Sequence, residues 1–511
     1  MSRVSKTIKN AKFSVFFFLI TAFLQFFSRK IFLEVLGDEF IGLTGTLQGL
    51  IGFLNLAELG IGTAIGVTLY KPLYNKDYKE INNVLNLFGF IYNKIGIILI
   101  VCASILSLFF PLIFDSITFS ILIVYYLFTV YVIGSLLSYF YNYHLFVLQA
   151  DQKGYVVTSY YQSFTFFKVL LQVAIVYYSN SVLIYITLEL LSSVLYSYFL
   201  RRRILKEYPW INIKYDADKT ILKKYPEIIQ KFKQISVHKI SSFITNGTDQ
   251  ILIFILVNIE SVAFYGNYQL IFVKLISLVN NFFSGTSAGI GNLVAENNPK
   301  NIHKVFWEMM AVRFFIAGLL TITLFFLVEP FITVWLGDKY ILDHYVLLLL
   351  LANFFILLIR VPVDDFKNAY ALFADTWAPI AQSTVNLLIS FVFGSIYGIT
   401  GILLGTFISL SIIILFWRPY YLYKFGFKNN ISEYWSGFLK LTFSLFLSVI
   451  IIYLIVDNFI AKDYNNFYEL IIYAIKIGLL ILTIYSPVLF LFNIGFRNIV
   501  FRFKNIIKGY F

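Results

Sequence analysis

Residues 25–66 read QFFSRKIFLEVLGDEFIGLTGTLQGLIGFLNLAELGIGTAIG. Two apolar segments meet there at a short acidic turn, Gly37-Asp38-Glu39, and the second is dense in glycine. Arg29, Lys30, Glu34 and Glu58 stand inside this otherwise apolar sequence. An ionisable side chain deep in a bilayer costs about 2.5–3.5 kcal/mol on insertion scales, so a charge retained there has a task. The remainder of the chain decides whether these segments are in a bilayer.

Of the 511 residues, 59% are hydrophobic and 13% are charged. A soluble domain carries about 25% charged residues, so half of that charge is missing. The apolar residues fall in runs long enough to cross a hydrocarbon core roughly 30 Å thick. Such runs occupy 13–36, 40–69, 86–110, 117–143, 155–178, 181–200, 236–257, 261–290, 305–328, 344–370, 379–397, 400–417, 436–456 and 467–493. The expected fold is an all-α polytopic membrane protein of about fourteen transmembrane helices. A transmembrane barrel would show alternating segments of about 10 residues instead.

The formal net charge is +13, which by itself would suit a nucleic-acid binder. Its distribution suits a membrane better. Lys71, Lys76 and Lys79, then Lys153, then Lys300 and Lys304, then Arg418, Lys424 and Lys428 fall on every second connection. The basic N-terminal and C-terminal stretches keep the same phase. The alternate connections carry Asp38 and Glu39, Asp115, Glu260, Asp338 and Asp343, and Asp457 and Asp463. This is the positive-inside rule, and it predicts that both termini are cytoplasmic. No small-residue cleavage site follows the first apolar run, so that run is expected to be retained. The single Cys102 forms no internal disulfide, and His144, His238, His303 and His344 lack ligand spacing.

The longest hydrophilic stretch runs from Arg201 to about Lys239 and includes ILKKYPEIIQKFKQISVHKI. It reads either as a basic amphipathic helix on anionic lipid or as an ordinary cytoplasmic connection. It also separates two related halves. A shift of 221 positions lays Glu39 and Gly45 on Glu260 and Gly266, and Ile81 and Val84 on Ile302 and Val305. The expected organisation is an N-terminal six-helix bundle (1–203), a basic cytoplasmic linker (204–235) and a C-terminal six-helix bundle (236–420). Two additional helices and a basic tail (421–511) complete it. Parallel six-helix halves flank a central cavity suited to alternating access.

Among the ionisable residues in the spans, Lys30 with Glu34 and Arg360 with Asp364 are four apart and can neutralise each other. Lys94 can snorkel, and Lys476 belongs to the C-terminal appendage. Arg29, Lys168, Lys274 and Arg313 have no opposite charge on their own helix and come from both halves. They either pair across helices with Glu58, Glu189 or Asp249, or give a cationic lumen suited to an anionic, phosphate-bearing substrate. There is no Walker-type loop, no metal-ligand spacing and no nucleophile–base pair, so no enzyme is expected.

The pattern Arg29…Leu36-Gly37…Gly42-Leu43…Leu56-Ala57-Glu58-Leu59-Gly60-Ile61-Gly62…Leu69-Tyr70-Lys71-Pro72-Leu73 resembles bacterial polysaccharide flippases. These are the Wzx-type O-antigen and capsule translocases of the MOP (MATE-like) exporter superfamily. The resemblance implies an undecaprenyl-diphosphate-linked oligosaccharide as substrate, moved to the outer leaflet of the bacterial inner membrane. It implies Arg29 as the head-group residue; Lys168, Lys274 and Arg313 rest on the burial argument. Glu58 and Asp249 are the acidic candidates for proton or sodium coupling, and no other cofactor is expected. Expected partners are membrane lipids and a polysaccharide polymerase or chain-length apparatus, with no nucleic acid and a monomeric assembly. A drug/cation antiporter of the same superfamily would need an anionic cavity. A lipid-II-type flippase differs only in cargo. A membrane polymerase or ligase would need a large outer loop bearing catalytic residues.

Overall fold

A computed structural model describes residues 3–55, 68–70, 72–115, 117–151, 153–212, 240–241, 243–245, 247–283, 286–460 and 464–510. Those residues are helical almost throughout, and ten of the helices are long and apolar enough to cross a membrane. Many large apolar side chains on these helices face outward, among them Phe23 at 77% exposure and Leu122 at 73%. A water-soluble monomer does not present apolar surface on this scale; hydrocarbon is the matching solvent.

The chain divides into two compact units, Met1–Asn267 and Tyr268–Phe511. The first contains α1 (Arg3–Leu54), α2 (Tyr78–Ser107), α3 (Ile121–Phe140), α4 (Gly154–Ser179), α5 (Val182–Glu207) and α6 (Asp249–Leu256). Helix α7 (Ile259–Phe282) begins in the first unit and ends in the second. The second contains α8 (Thr286–Ala295), α9 (Pro299–Leu336), α10 (His344–Ile359), α11 (Val361–Ala369) and α12 (Trp377–Tyr397). It continues with α13 (Ile399–Phe427), α14 (Ile431–Phe459), α15 (Phe467–Phe492) and α16 (Ile494–Tyr510).

Helix α1 is two helices joined at Gly37, whose φ of 85° and ψ of 163° interrupt the helical geometry. Positive φ with extended ψ is open essentially to glycine alone. The acidic turn read from the sequence is therefore a real corner. The limb after it carries Gly42, Gly45, Gly49 and Gly52, spaced three, four and three apart and so on one face. A β-carbon at Gly42 would overlap the Ile259 carbonyl, one at Gly45 would crowd Val262, one at Gly49 Ile251, and one at Gly52 the Phe243 ring. The glycines thus form a smooth ridge against which the Ile259 backbone and the side chains of Val262, Ile251 and Phe243 pack, as small residues permit in membranes. Helix α1 also packs on α3, α4 and α6, and α5 on α3 and α4. Around Tyr92, Tyr139 and Leu200 the first unit buries an apolar cluster that also includes Val84, Phe88 and Ile204.

At one end of this unit, Lys153 meets Glu207 at 2.8 Å, Asp151, and the Tyr208 hydroxyl at 3.2 Å. Burial works to lower the Lys153 pKa, but Asp151, Glu207 and Tyr208 outweigh it and hold the ammonium charged well above its usual range. His144, nearby in the chain between α3 and α4, is buried. Burial and then Arg201 push its imidazole down to about 4.

In the second unit, α12 and α13 pack closely. A β-carbon at Gly401 would overlap the Phe393 carbonyl, and one at Gly405 would overlap Ser390. The hydrogen bonds Asn386–Thr406 (3.0 Å) and Ser390–Ile402 carbonyl (2.8 Å) tie the pair. Helix α9 packs against α10, α14, α15 and α16.

Three expected spans take a different form. The run 261–290 gives α7, and a separate helix α8 begins at Thr286. The run 344–370 is one span, His344–Ala369, divided into α10 and α11 at Arg360, where Pro362 has no N–H to donate into the preceding turn. The run 400–417 continues to Phe427, so Arg418 and Lys424 are helical residues rather than part of a basic connection. Its Ser411–Trp417 and Leu422–Phe427 stretches are π-helical, flanking Pro419. Residues 213–239 of the expected linker region lie outside the described residues.

Candidate functional site

In the first unit the intramembrane polar groups gather on α1, α4, α5 and the start of α7. Arg29 donates from Nε to Asn267 Oδ1 at 2.7 Å and from Nη2 to the Ala263 carbonyl at 3.0 Å. Both acceptors are neutral, and both are on α7. Gly266 makes room for the guanidinium, since a β-carbon there would stand 3.0 Å from Nη2. The planar fork of arginine suits two divergent acceptors in a way a lysine ammonium does not.

One helix layer away, Lys168 on α4 meets Glu189 on α5 at 2.8 Å. Gln172, four residues after Lys168, donates to Glu189 at 3.3 Å and to the Tyr185 carbonyl at 3.1 Å. The cross-helix pairing left open by the sequence is realised here. Tyr185 also packs edge-on against Phe32 and Phe40 of α1. Gln48 of α1 donates to the Tyr131 hydroxyl at 3.2 Å, and Asn55 accepts from the Tyr139 hydroxyl at 2.8 Å. Asp249, at the start of α6, is buried and accepts from the Tyr265 hydroxyl at 3.0 Å. Glu58 lies outside the described residues.

Lys274 and Arg313 belong to the second unit. Lys274 is half-buried on α7. Arg313 on α9 is 3% exposed, with its guanidinium carbon 4.3 Å above the Phe283 ring and Asp365 as its electrostatic partner. Its Nε and Nη1 are buried without a hydrogen-bond acceptor among the described residues. A buried donor left without an acceptor costs about 1–3 kcal/mol.

A second charged cluster joins α11, the connection after it and α13. Asp364 is paired with Arg360 at 3.5 Å and with Arg418, and Lys367 is paired with Asp375, which also accepts from Trp417 at 3.2 Å. Arg360 and Asp364 pair as their spacing implied. Arg418 joins them because the π-helical winding carries α13 past the expected end of its span.

The sequence reading missed Asn267, Gln172, Gln48 and Tyr185. Their signal was available only in part: an amide four residues from a lone lysine, and an asparagine inside an apolar helix.

No family model matches the chain, and no curated protein matches it. Solved structures do. The chain is similar to the lipid II flippase MurJ in an inward closed conformation, at 17% identity and a TM-score of 0.67, over 93% of this chain and 99% of that one. It is similar to an inward-facing multidrug resistance MATE family transporter of the MOP superfamily, at 15% identity and a TM-score of 0.58, over 78% of this chain and 94% of that one. A MOP superfamily transporter from Pyrococcus furiosus matches at 13% identity and a TM-score of 0.55, over 83% of this chain and 96% of that one. At such identities the likeness is one of fold. The fold is the helical MOP/MATE-like architecture, in a multi-pass membrane protein.

Proposed function

We propose that this protein is a flippase for an undecaprenyl-diphosphate-linked oligosaccharide. It moves the lipid-linked glycan from the cytoplasmic to the outer leaflet of the bacterial inner membrane, by alternating access, for surface polysaccharide synthesis. The observation that carries this reading is the extent of the fold match. The match to a lipid II flippase takes in 93% of the chain, whereas the match to a multidrug transporter takes in 78%. A lipid-linked glycan is therefore the better-supported class of cargo.

The charge inventory agrees with an anionic head group. Arg29 exchanges its Asn267 and Ala263 acceptors for diphosphate oxygens, a charge-assisted bidentate contact. Lys168 contributes once released from Glu189, Arg313 contributes through the two nitrogens that lack acceptors, and Lys274 adds a further positive charge. Asp249, and Glu58 from the sequence, are the carboxylates for coupling to protons or sodium.

The test is complementation in a strain lacking the protein, in which lipid-linked oligosaccharide should accumulate on the inner leaflet. Arg29→Ala should lower export about tenfold or more, as expected for loss of hydrogen bonds to a charged group. Normal export with Arg29, Lys168, Lys274 and Arg313 all replaced by alanine would overturn the cationic-lumen mechanism. Unchanged glycan export together with lost efflux of cationic dyes would assign the chain to drug transport instead.

A further inference from the structure

A cavity of about 850 Å³ opens in the second unit where α9, α14 and α16 meet. Its volume lies in the range of ligand sites. Three cations line it: Lys304 of α9, Lys440 of α14 and Arg497 of α16. Lys304 and Lys440 are exposed, and among the described residues neither has an ion-pair partner. The Arg497 Nε is buried with no hydrogen-bond acceptor among the described residues. The one carboxylate on the wall, Glu433, stands 3.9 Å from His303 and accepts from Asn429 at 3.4 Å.

Two helix N-termini meet at the same place. Helix α14 starts after its cap Asn430, bringing Ser432 and Ser436 to the wall, and α16 starts after Asn493, which accepts from the Phe496 N–H at 2.9 Å. Helix N-termini favour anions through their free N–H groups and their dipole. Trp307 fills the space between them. A β-carbon at Gly437 would overlap its ring, and one at Gly495 would overlap its carbonyl, so the packing that shapes the cavity depends on both glycines.

We propose that this cavity binds the phosphate of an anionic membrane phospholipid. Its position selects the source of the phosphate. Apolar α15 ends at Phe492, and the basic, amphipathic α16 begins two residues later. Phe492 is 45% exposed and Ile494 66%, and both line the cavity. The site therefore joins a cationic pocket to an apolar rim at the level where a transmembrane helix stops. A phospholipid places its phosphate and its acyl chains at that boundary. The bound phosphate bridges α9 and α14 to Arg497 and so fastens α16 to the bundle. This assignment is independent of the transport reading.

The experiment uses the full chain in phosphatidylcholine nanodiscs containing increasing phosphatidylglycerol, with retained lipid counted by native mass spectrometry and stability read by thermal melting. The protein should retain phosphatidylglycerol in preference to phosphatidylcholine and melt higher in its presence. Replacing Lys304, Lys440 and Arg497 by alanine should weaken retention about fivefold for each cation removed. Removing Lys300 and Lys428, outside the cavity, should change nothing. Because the triple variant can lose stability, Ser436→Glu, which adds a negative charge to the wall, should reduce retention by a similar factor. Unchanged retention in both variants overturns the proposal. Equal stabilisation by soluble glycerol phosphate in lipid-free detergent assigns the site to a free anion and overturns the membrane source.

Discussion

At the scale of single residues, the polar seam of the first unit makes a direct prediction. Lys168 and Glu189 have side chains only 16% and 21% exposed, and each is the other's charge partner. Removing one member of a buried pair leaves the other uncompensated and costs about 3–5 kcal/mol, whereas removing both costs much less. Lys168→Met and Glu189→Gln should therefore each destabilise more than the double replacement, as read by melting temperature in detergent. Equal, additive losses would mean the pair is not coupled. His144 gives a pH signature. Its pKa of about 4 is below the ordinary 6.5, so between those values the unfolded chain binds protons that the folded chain does not. Its contribution is complete above about pH 6.5 and is lost as pH falls towards 4, about 3 kcal/mol in order of magnitude. His144→Gln should flatten that part of the stability profile. The charged residues were legible in the sequence because charge is rare in apolar runs. Their partners were legible only in part: Glu189, 21 positions from Lys168, was one of three candidate carboxylates, whereas Asn267, 238 positions from Arg29, was not read as a partner. Sequence spacing identifies neighbours on one helix only.

At the scale of elements, helix identity was largely legible, because a length of apolar sequence and a bilayer thickness determine each other. The corner at Gly37 was legible from a glycine beside two acids. The break at Arg360 has a sequence signal in Pro362. The continuation of α13 through Pro419 does not, because a π-helical turn accommodates the proline that would ordinarily suggest an end. The glycines of the limb of α1 after Gly37 serve close packing. Gly42→Ala should destabilise the protein by about 2–3 kcal/mol, in the range of overpacking, since the β-carbon meets the Ile259 backbone. Gly478, in the middle of α15, has open space around its missing β-carbon. Gly478→Ala should be neutral or stabilising by up to about 1 kcal/mol, the helix-propensity difference. Thermal melting of the two variants side by side distinguishes ridge glycines from incidental ones.

At the scale of the whole molecule, loop charge is the property that predicts topology. With Cys102 replaced by serine, cysteines placed at Lys76, Lys153 and Lys300 should react with membrane-impermeant reagents only from the cytoplasm. Cysteines at Asp115 and Asp338 should react only from outside. The opposite pattern would invert the proposed direction of transport. A different consequence follows from the ion pair between Arg502 of α16 and Glu308 of α9, at 2.8 Å. Glu308 is 3% exposed, and its partner lies 194 residues further along the chain. At synthesis rates of about 5–20 residues per second, the carboxylate waits roughly 10–40 s for its counterion. Throughout that interval Glu308 lacks the guanidinium that pairs with it. Assembly of this unit is thus completed only once α16 has been made.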